Sequence, residues 1–277
     1  MSLPTESISS TGAVPDLTIQ RVRHPLRFRL LEVSRVDRLT PHLLRVTLQG
    51  DALDGFVSTG FDDHVKVFFP DPATGELFAP ALGDDGPIWP EGKRPVMRDY
   101  TPGQFDPVNL TLQIDFALHQ PGGPATRWAE QAQVGQRLGI GGPKGSFMVP
   151  TGFDWHLLVG DDTGLPAIAK RLAELPAGAR AEVLMEVDSH ADHIPLPSLA
   201  DVNVVWVHRE QHQSLLDALA QMRMPSGHFY SWIACESAQA KAMHAFLINE
   251  CRANPKWVRA SGYWRKGSMA SHESFDR

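Results

Sequence analysis

Trp155-His156-Leu157-Leu158-Val159-Gly160-Asp161-Asp162-Thr163-Gly164-Leu165-Pro166 reads as a short buried strand, a turn flanked by two glycines, and the opening of a helix. Pro166 suits a first helical position, and Ile168 and Leu172 fall one turn apart on a helix reaching Leu175. Downstream the alternation repeats. Ala181 to Val187 and Val202 to Val207 read as strands, Leu215 to Met222 as a helix, Phe229 to Ala234 as a strand, and Ala238 to Cys251 as a helix. Strands alternating with helices imply a parallel sheet with crossovers, so the second half is α/β. An open sheet of that kind takes ligands outside the carboxyl ends of its strands, where Gly160 to Pro166 lies. An acidic, capped turn without a ligand explains the same letters. Asp161 and Asp162 are poor neighbours for a pyrophosphate, and no G-x-G-x-x-G is present.

Upstream of Pro150 the character changes. Arg27 to Val36 and His42 to Leu48 carry alternating or apolar runs, divided by Asp37-Arg38-Leu39-Thr40-Pro41. His64-Val65-Lys66-Val67-Phe68-Phe69-Pro70 is a strand with a proline stop. Between Asn109 and His119, Leu110, Leu112, Ile114, Phe116 and Leu118 alternate with polar or small residues. Short strands separated by turn signals predict a small antiparallel barrel or sandwich. Pro70 to Lys93, rich in glycine and proline, reads as a surface excursion.

Arg98-Asp99-Tyr100-Thr101-Pro102 joins a cation, a phenol and a hydroxyl within four positions. On an extended strand Arg98 and Tyr100 share one face and Thr101 takes the other, and Pro102 ends the strand. Such a pair can grip an anionic, flat, conjugated ligand, the guanidinium on phosphate and the phenol on the ring system. A solvated, mutually packed pair is the alternative. Gly122-Gly123-Pro124-Ala125-Thr126-Arg127-Trp128-Ala129 opens a short helix running to about Gln133, whose free N–H groups could receive a diphosphate. A plain cap at Thr126 or nearby fits equally. Gly139 to Phe147 is a glycine-rich turn whose spacing differs from a nucleotide-triphosphate loop. Gly262-Tyr263-Trp264-Arg265-Lys266-Gly267 sets two aromatics beside two cations, either over a flat ligand or as a last strand burying Trp264.

Composition narrows the classes. The 277 residues are 42% hydrophobic and 21% charged with a net charge of -6, an ordinary globular balance that gives no reason to expect nucleic-acid binding. No apolar run reaches the roughly 18–20 residues of a membrane span. Met1 to Thr18 has no apolar core and reads as a disordered lead rather than a signal peptide. Cys235 and Cys251 cannot form a disulfide framework and are spaced wrongly for zinc; they read as small buried residues in or beside a helix, in a reducing cytoplasm. Ser189-His190-Ala191-Asp192-His193 resembles a loose metal cluster without a clear third ligand and is expected to be a solvated loop. No Ser-His-Asp order or paired glutamates suggests a hydrolase.

Taken in order, these phrases resemble the ferredoxin-reductase-like flavoproteins and, more narrowly, the siderophore-interacting protein family of flavin-dependent ferric-siderophore reductases. The phrases are Asp63 to Pro70, Arg98 to Pro102, Ile114 to His119, Gly123 to Ala129, Gly142 to Ser146, Gly160 to Ile168 and Gly262 to Arg265. The resemblance implies two domains after the lead at 1–18: an antiparallel FAD-binding β-barrel over 19–150, and an α/β parallel-sheet, NAD(P)H-binding-like domain over 151–277. It implies FAD, with NADPH or NADH as electron donor and ferredoxin as an alternative. Arg98 would pair with the diphosphate, and Tyr100 and Thr101 would meet the ring and ribityl region. Asp115, Phe116 and His119 would line the second strand of the site. Ala125 and Thr126 would give donors at the helix start, Asp162 and Thr163 would lie near the flavin edge, and Trp264 would cover it. No side chain need act as a catalyst, because the flavin carries the electrons.

Ferric siderophores are commonly anionic, so a basic rim is expected at the mouth, with Lys66, Lys144, Arg265 and Lys266 as its candidates. Arg209 is a possible partner for a 2′-phosphate, or a solvent-facing loop residue. The expected protein is a cytoplasmic monomer that binds neither nucleic acid nor membrane. The competing functions are a flavin reductase for another acceptor and a siderophore-binding protein that holds flavin structurally.

Overall fold

The computed structural model describes residues 16–83, 86–90, 95–119, 122–267 and 273–275. Most of the expected N-terminal lead and parts of the 70–93 connection lie outside these. The first half contains β1 (Gln20–Arg23), β2 (Phe28–Thr40), β3 (Leu43–Gln49), β4 (Val65–Phe68), β5 (Ala81–Gly83), β6 (Gly86–Ile88), β7 (Met97–Tyr100), β8 (Pro102–Asp106) and β9 (Thr111–Ala117). After these come α1 (Pro124–Glu130), β10 (Arg137–Gly141) and β11 (Gly145–Met148). The second half contains β12 (Trp155–Asp161), α2 (Leu165–Glu174), β13 (Arg180–Val187), β14 (Asp201–His208) and α3 (Leu215–Gln221). It ends with β15 (Phe229–Glu236), α4 (Ser237–Asn249), β16 (Val258–Trp264) and β17 (Glu273–Ser274).

Seven strands of the first half form one antiparallel sheet in the order β7-β4-β10-β2-β3-β9-β8. Its two edges, β7 and β8, are separated in the chain by Thr101 alone. Laid flat, seven strands would hold those edges roughly 29 Å apart, far beyond the reach of one residue. The sheet must therefore curl until its edges meet. That makes a barrel, not a sandwich, with the joint at the Arg98–Pro102 stretch. Pro102 begins a strand where the sequence reading has it ending one. At the first residue of an edge strand its missing N–H costs no ladder bond.

Leu112, Ile114 and Phe116 of β9 point into the barrel and pack with Val46, Leu48, Val65, Val67, Leu138 and Ile140. The alternation seen between Asn109 and His119 is thus one buried and one outer face. The break expected over 37–41 narrows to a turn at Pro41–His42, because Asp37 pairs with Arg45 and Arg38 with Leu44 in the β2–β3 ladder. β1 was not legible as a strand; it is paired to β11 as a separate ribbon.

The second sheet runs β14-β13-β12-β15-β16-β17, parallel except for β17. The chain leaves β12 toward β13 on one side and later lays β15 on the other. The carboxyl end of β12 is therefore a topological switch point, where a crevice opens. Gly164 lets α2 start close against β15, since a Cβ there would sit 2.7 Å from the Ala234 carbonyl oxygen. Cys235 lies on β15 rather than in a helix and is fully buried.

The two halves share a seam of buried polar groups. From α2, Lys170 Nζ donates to the Gly60 carbonyl and the Ser58 hydroxyl, both at 3.0 Å. Arg171 donates to the carbonyls of Val149 at 3.1 Å and Pro150 at 2.7 Å. Asp62 of the barrel accepts from Trp232 Nε1 at 3.3 Å and faces Arg259 at 3.5 Å. On the far side His42 meets Asp192 at 3.0 Å.

His156 on β12 is fully buried. Burial, with the Arg171 guanidinium alongside, pushes its imidazole down to about 3. In the unfolded chain it binds a proton below about pH 6.5. Between those values the unfolded state holds more protons, so stability falls as pH drops from about 6.5 toward 3. Chemical denaturation at stepped pH should show that decline, and His156→Phe should reduce its slope. An unchanged slope would remove His156 from the cause.

Candidate functional site

A cleft of about 470 Å³ lies between the barrel joint and the carboxyl ends of β12 and β16. The barrel lines it with Arg98, Tyr100 and Thr101 from the joint, Asp115, Ala117 and His119 from the end of β9, and the start of α1. The α/β half adds Thr163, Pro166, Tyr263 and Trp264. Residues far apart in sequence thus meet around one space.

Each side is built by an identifiable device. Tyr100 meets Phe116 in a tilted contact with ring centroids 4.5 Å apart, and Phe116 with Phe69 and Trp128 forms an aromatic wedge under it. Burial raises the Tyr100 hydroxyl pKa, against the pull of Arg98, so the phenol stays protonated. Arg98 Nη1 donates to its neighbouring carbonyl, that of Met97, at 2.7 Å, which steadies the guanidinium at the cleft wall. Asp115 is gripped by Arg45 of β3 through two bonds of 2.7 and 2.8 Å, so its charge is already matched.

Gly123 occupies the position before α1 and, having no side chain, leaves the helix start uncapped, its first N–H groups without a side-chain acceptor. No acidic residue occupies that first turn. Thr126 is therefore inside the helix, not its cap. Across the cleft, Trp264 Nε1 donates to Asp161 Oδ2 at 2.7 Å, which fixes the indole against the opening. Burial, then the charge of Asp162, raises the Asp161 carboxyl pKa.

Of the anticipated cofactor-binding residues, the structure brings Arg98, Tyr100, Thr101, Asp115, His119, Ala125, Thr126, Thr163 and Trp264 to the cleft wall. Two do not line it. The Phe116 side chain turns inward by strand alternation and supports Tyr100 from behind. Asp162 is buried and held by Arg209 at 2.9 Å, with its other oxygen 3.7 Å from His119 Nε2. Arg209 is also bonded to Glu186 and Asp188, each at 2.8 Å, so its charge is spent on carboxylates rather than offered to a phosphate. Trp264 ends the last parallel strand and is half-buried at the cleft wall rather than enclosed in the core.

Lys66 and Lys144 border a second cavity of about 380 Å³ that shares His64, Lys66, Met97 and Asp99 with the first. Arg265 and Lys266 border neither. Past Trp264 the chain turns away, and Arg265 faces Glu273 of β17 at 3.5 Å. Sequence reasoning missed Asp99, whose carboxylate binds Lys66 Nζ at 2.7 and 2.9 Å. Its place between Arg98 and Tyr100 already put it on the opposite strand face; what was missing was the pairing of Lys66 with Asp99 in the β4–β7 ladder. His193 stacks on Trp206 and is itself stacked by His190 and His208, and no metal-holding group of three ligands occurs among the described residues.

These residues fit a flavin dinucleotide. A cation and an uncapped helix start suit a diphosphate, and a buried phenol and a fixed indole suit a flat ring. His119 Nε2 is buried with no hydrogen-bond partner among the described residues, a polar atom left to be satisfied at the cleft.

Comparison with known proteins points the same way. Residues 32–147 match the model of the siderophore-interacting FAD-binding domain, and residues 153–267 match that of the siderophore-interacting protein. An NADPH-dependent ferric-chelate reductase of Escherichia coli is 40% identical, over 88% of this chain and 96% of its own. The ferric vibriobactin reductase ViuB of Vibrio cholerae is 36% identical, over 88% of this chain and 93% of its own. A siderophore utilization protein from T. fusca, solved by crystallography, superposes with a TM-score of 0.86 at 36% identity, covering 92% of this chain and 99% of that one.

Proposed function

The chain belongs to the siderophore-interacting protein family, and from that premise we propose that it is an FAD-dependent ferric-siderophore reductase fed by NAD(P)H. Its ferredoxin-reductase-like fold supplies the two domains, which we divide as 19–150 for FAD and 151–277 for the nicotinamide donor. One observation carries the reading: a single cleft lined by Arg98, Tyr100, Thr101 and an uncapped helix start on one side and by Trp264 on the other. We assign Arg98 and the Ala125–Thr126 helix start to the diphosphate, and Tyr100 and Thr101 to the ring and ribityl region. Asp115 and His119 border that region, Thr163 lies toward the donor side, and Trp264 covers the ring.

Bound FAD supplies the electron transfer between donor and iron. The chain's own work is placement. Tyr100 presents a neutral hydroxyl, because burial holds its proton. The Asp161–Trp264 hydrogen bond keeps the indole over the cleft and water out of it. Fe(III) to Fe(II) takes one electron and NAD(P)H gives two, so two chelates are reduced per donor. Ferrous iron binds hard oxygen ligands less tightly, which frees the metal.

NAD(P)H is favoured over ferredoxin by the likeness to the NADPH-dependent reductase of E. coli. No helix among the described residues is long and apolar enough to cross a membrane. We take the cytoplasm as the compartment, where the unpaired thiols of Cys235 and Cys251 persist, and expect a monomer on size exclusion.

The test is optical. Purified protein is expected to be yellow, to bleach under anaerobic NADPH, and to recover colour when a ferric chelate is added while a ferrous indicator develops. Bleaching with no indicator response would favour a flavin reductase for another acceptor. Colour that NADPH cannot bleach would favour a siderophore-binding protein holding flavin structurally.

Lys66→Ala is expected to raise KM for an anionic chelate with flavin content unchanged. The effect should exceed the loss of one cation, because Asp99 is left as an unmatched negative charge at the mouth. Lys66→Ala combined with Asp99→Asn should recover part of it. Loss of flavin in the single variant would make Lys66 a cofactor contact.

A further inference from the structure

The outer face of a barrel strand ordinarily meets water, but here it carries an aromatic shelf. Cross-strand partners align Phe28, Gly141, Lys66 and Asp99 in one row, and Leu30, Gly139, Phe68 and Met97 in the next. Phe28 and Phe68 lie across the glycine strand with ring centroids 5.4 Å apart, and Trp89 adds a third ring 5.4 Å from Phe68. The glycines make the floor. A Cβ at Gly139 would come within 2.6 Å of the Phe28 ring, and one at Gly141 within 2.9 Å of the Phe68 ring. Any larger residue at either position would lift the rings away.

This shelf walls the second cavity, which shares His64, Lys66, Met97 and Asp99 with the cofactor cleft. Around the rings, among the described residues, stand Arg27, Lys66 and Lys144 with Asp99 as the one carboxylate. A cavity with aromatic walls and a cationic rim complements a ligand that is both flat-ringed and anionic. It offers little to a chelate whose iron ligands are aliphatic.

Resting on the reductase reading, we propose that Phe28, Phe68 and Trp89 form a stacking shelf that selects ferric chelates built on catechol or phenol rings over those built on aliphatic hydroxamates or carboxylates. The cations capture charge in general, and the rings choose the kind of chelate. Specificity is then a difference between two affinities set mainly by the shelf.

Gallium(III) complexes separate this from electron transfer, because the metal fills the same ligand sphere and is not reduced. The experiment measures binding of gallium tris-catecholate, a gallium trihydroxamate and gallium citrate to the FAD-loaded protein, following tryptophan or flavin fluorescence. Wild type is expected to bind the tris-catecholate more tightly than the equally anionic but ring-free citrate. Trp89→Ala and Phe28→Leu should each weaken the tris-catecholate by about three- to tenfold relative to citrate, as expected for a lost ring–ring contact. Flavin absorbance should be unchanged. Equal losses for all three complexes, or none, would overturn the shelf. Release of flavin from both variants would also overturn it, making the rings a cofactor surface. If gallium binding follows the expected order but no ferric chelate is reduced, the shelf stands and the reductase reading falls.

Discussion

Arg98→Ala should emerge from purification with little or no yellow colour. Arg98 stands at the joint between the two barrel edges, two residues from Tyr100 on the same cleft, and its position is steadied by the bond to the Met97 carbonyl oxygen. If it pairs with the FAD diphosphate, its removal deletes charge-assisted hydrogen bonds worth about 1.5–3 kcal/mol, a loss of roughly ten- to a hundredfold in affinity. The uncapped start of α1 remains and should retain some binding at high FAD. Arg98→Lys keeps the charge but not the planar fork, so its affinity should fall between the two. Titration of apoprotein with FAD, read by quenching of flavin fluorescence, measures all three. A fully loaded Arg98→Ala protein would move the diphosphate elsewhere. Melting curves of the apoproteins serve as the control, and they should coincide if the role is in binding.

Arg171→Ala should be the most damaging substitution to stability. Arg171 is 2% exposed, yet it carries a charge and stands between the halves. It donates to the carbonyls of Val149 and Pro150, approaches Glu174 at 3.6 Å, and lies 5.3 Å from the centre of the Phe61 ring. Removing it strands two carbonyl oxygens and an acid and leaves a hole beside the ring. Such a change costs about 3–5 kcal/mol. In a chain of this size that corresponds to a fall in Tm of roughly 6–15 °C. Arg171→Lys should recover part of the loss, because one donor can be kept. A melting temperature within two or three degrees of wild type would mean that the seam is held elsewhere, with Lys170 and Arg259 the remaining ties.

Much of this fold could be read along the chain because local patterns carried it. Alternation from Leu110 to Leu118 gave a strand with one buried face, and that face is the barrel core. The strand–turn–helix at Trp155 to Glu174 and its repetition gave a parallel sheet, and with it the ligand end of β12. What misled was local as well. Pro102 follows the end of one strand as read but also opens the next, and residues 37–40 read as part of a break unless Arg45 and Leu44 are known to pair with them.

The linear order of residues by itself specified a β half and an α/β half, a turn at the cleft, and most of the anticipated side chains that reach it, because strand and helix periods are properties of short segments. Which of those side chains are free to act was settled by partners distant in the chain. Lys66 is matched by Asp99, Asp115 by Arg45, and Asp162 by Arg209, while Phe116 supports Tyr100 and Trp264 is aimed by Asp161. The aromatic shelf belongs to the same class, since no single strand contains Phe28, Phe68 and Trp89. Charge pairing and ring stacking act over a few ångströms of space. They therefore come into being only when the sheet has curled and its rows have fallen into register.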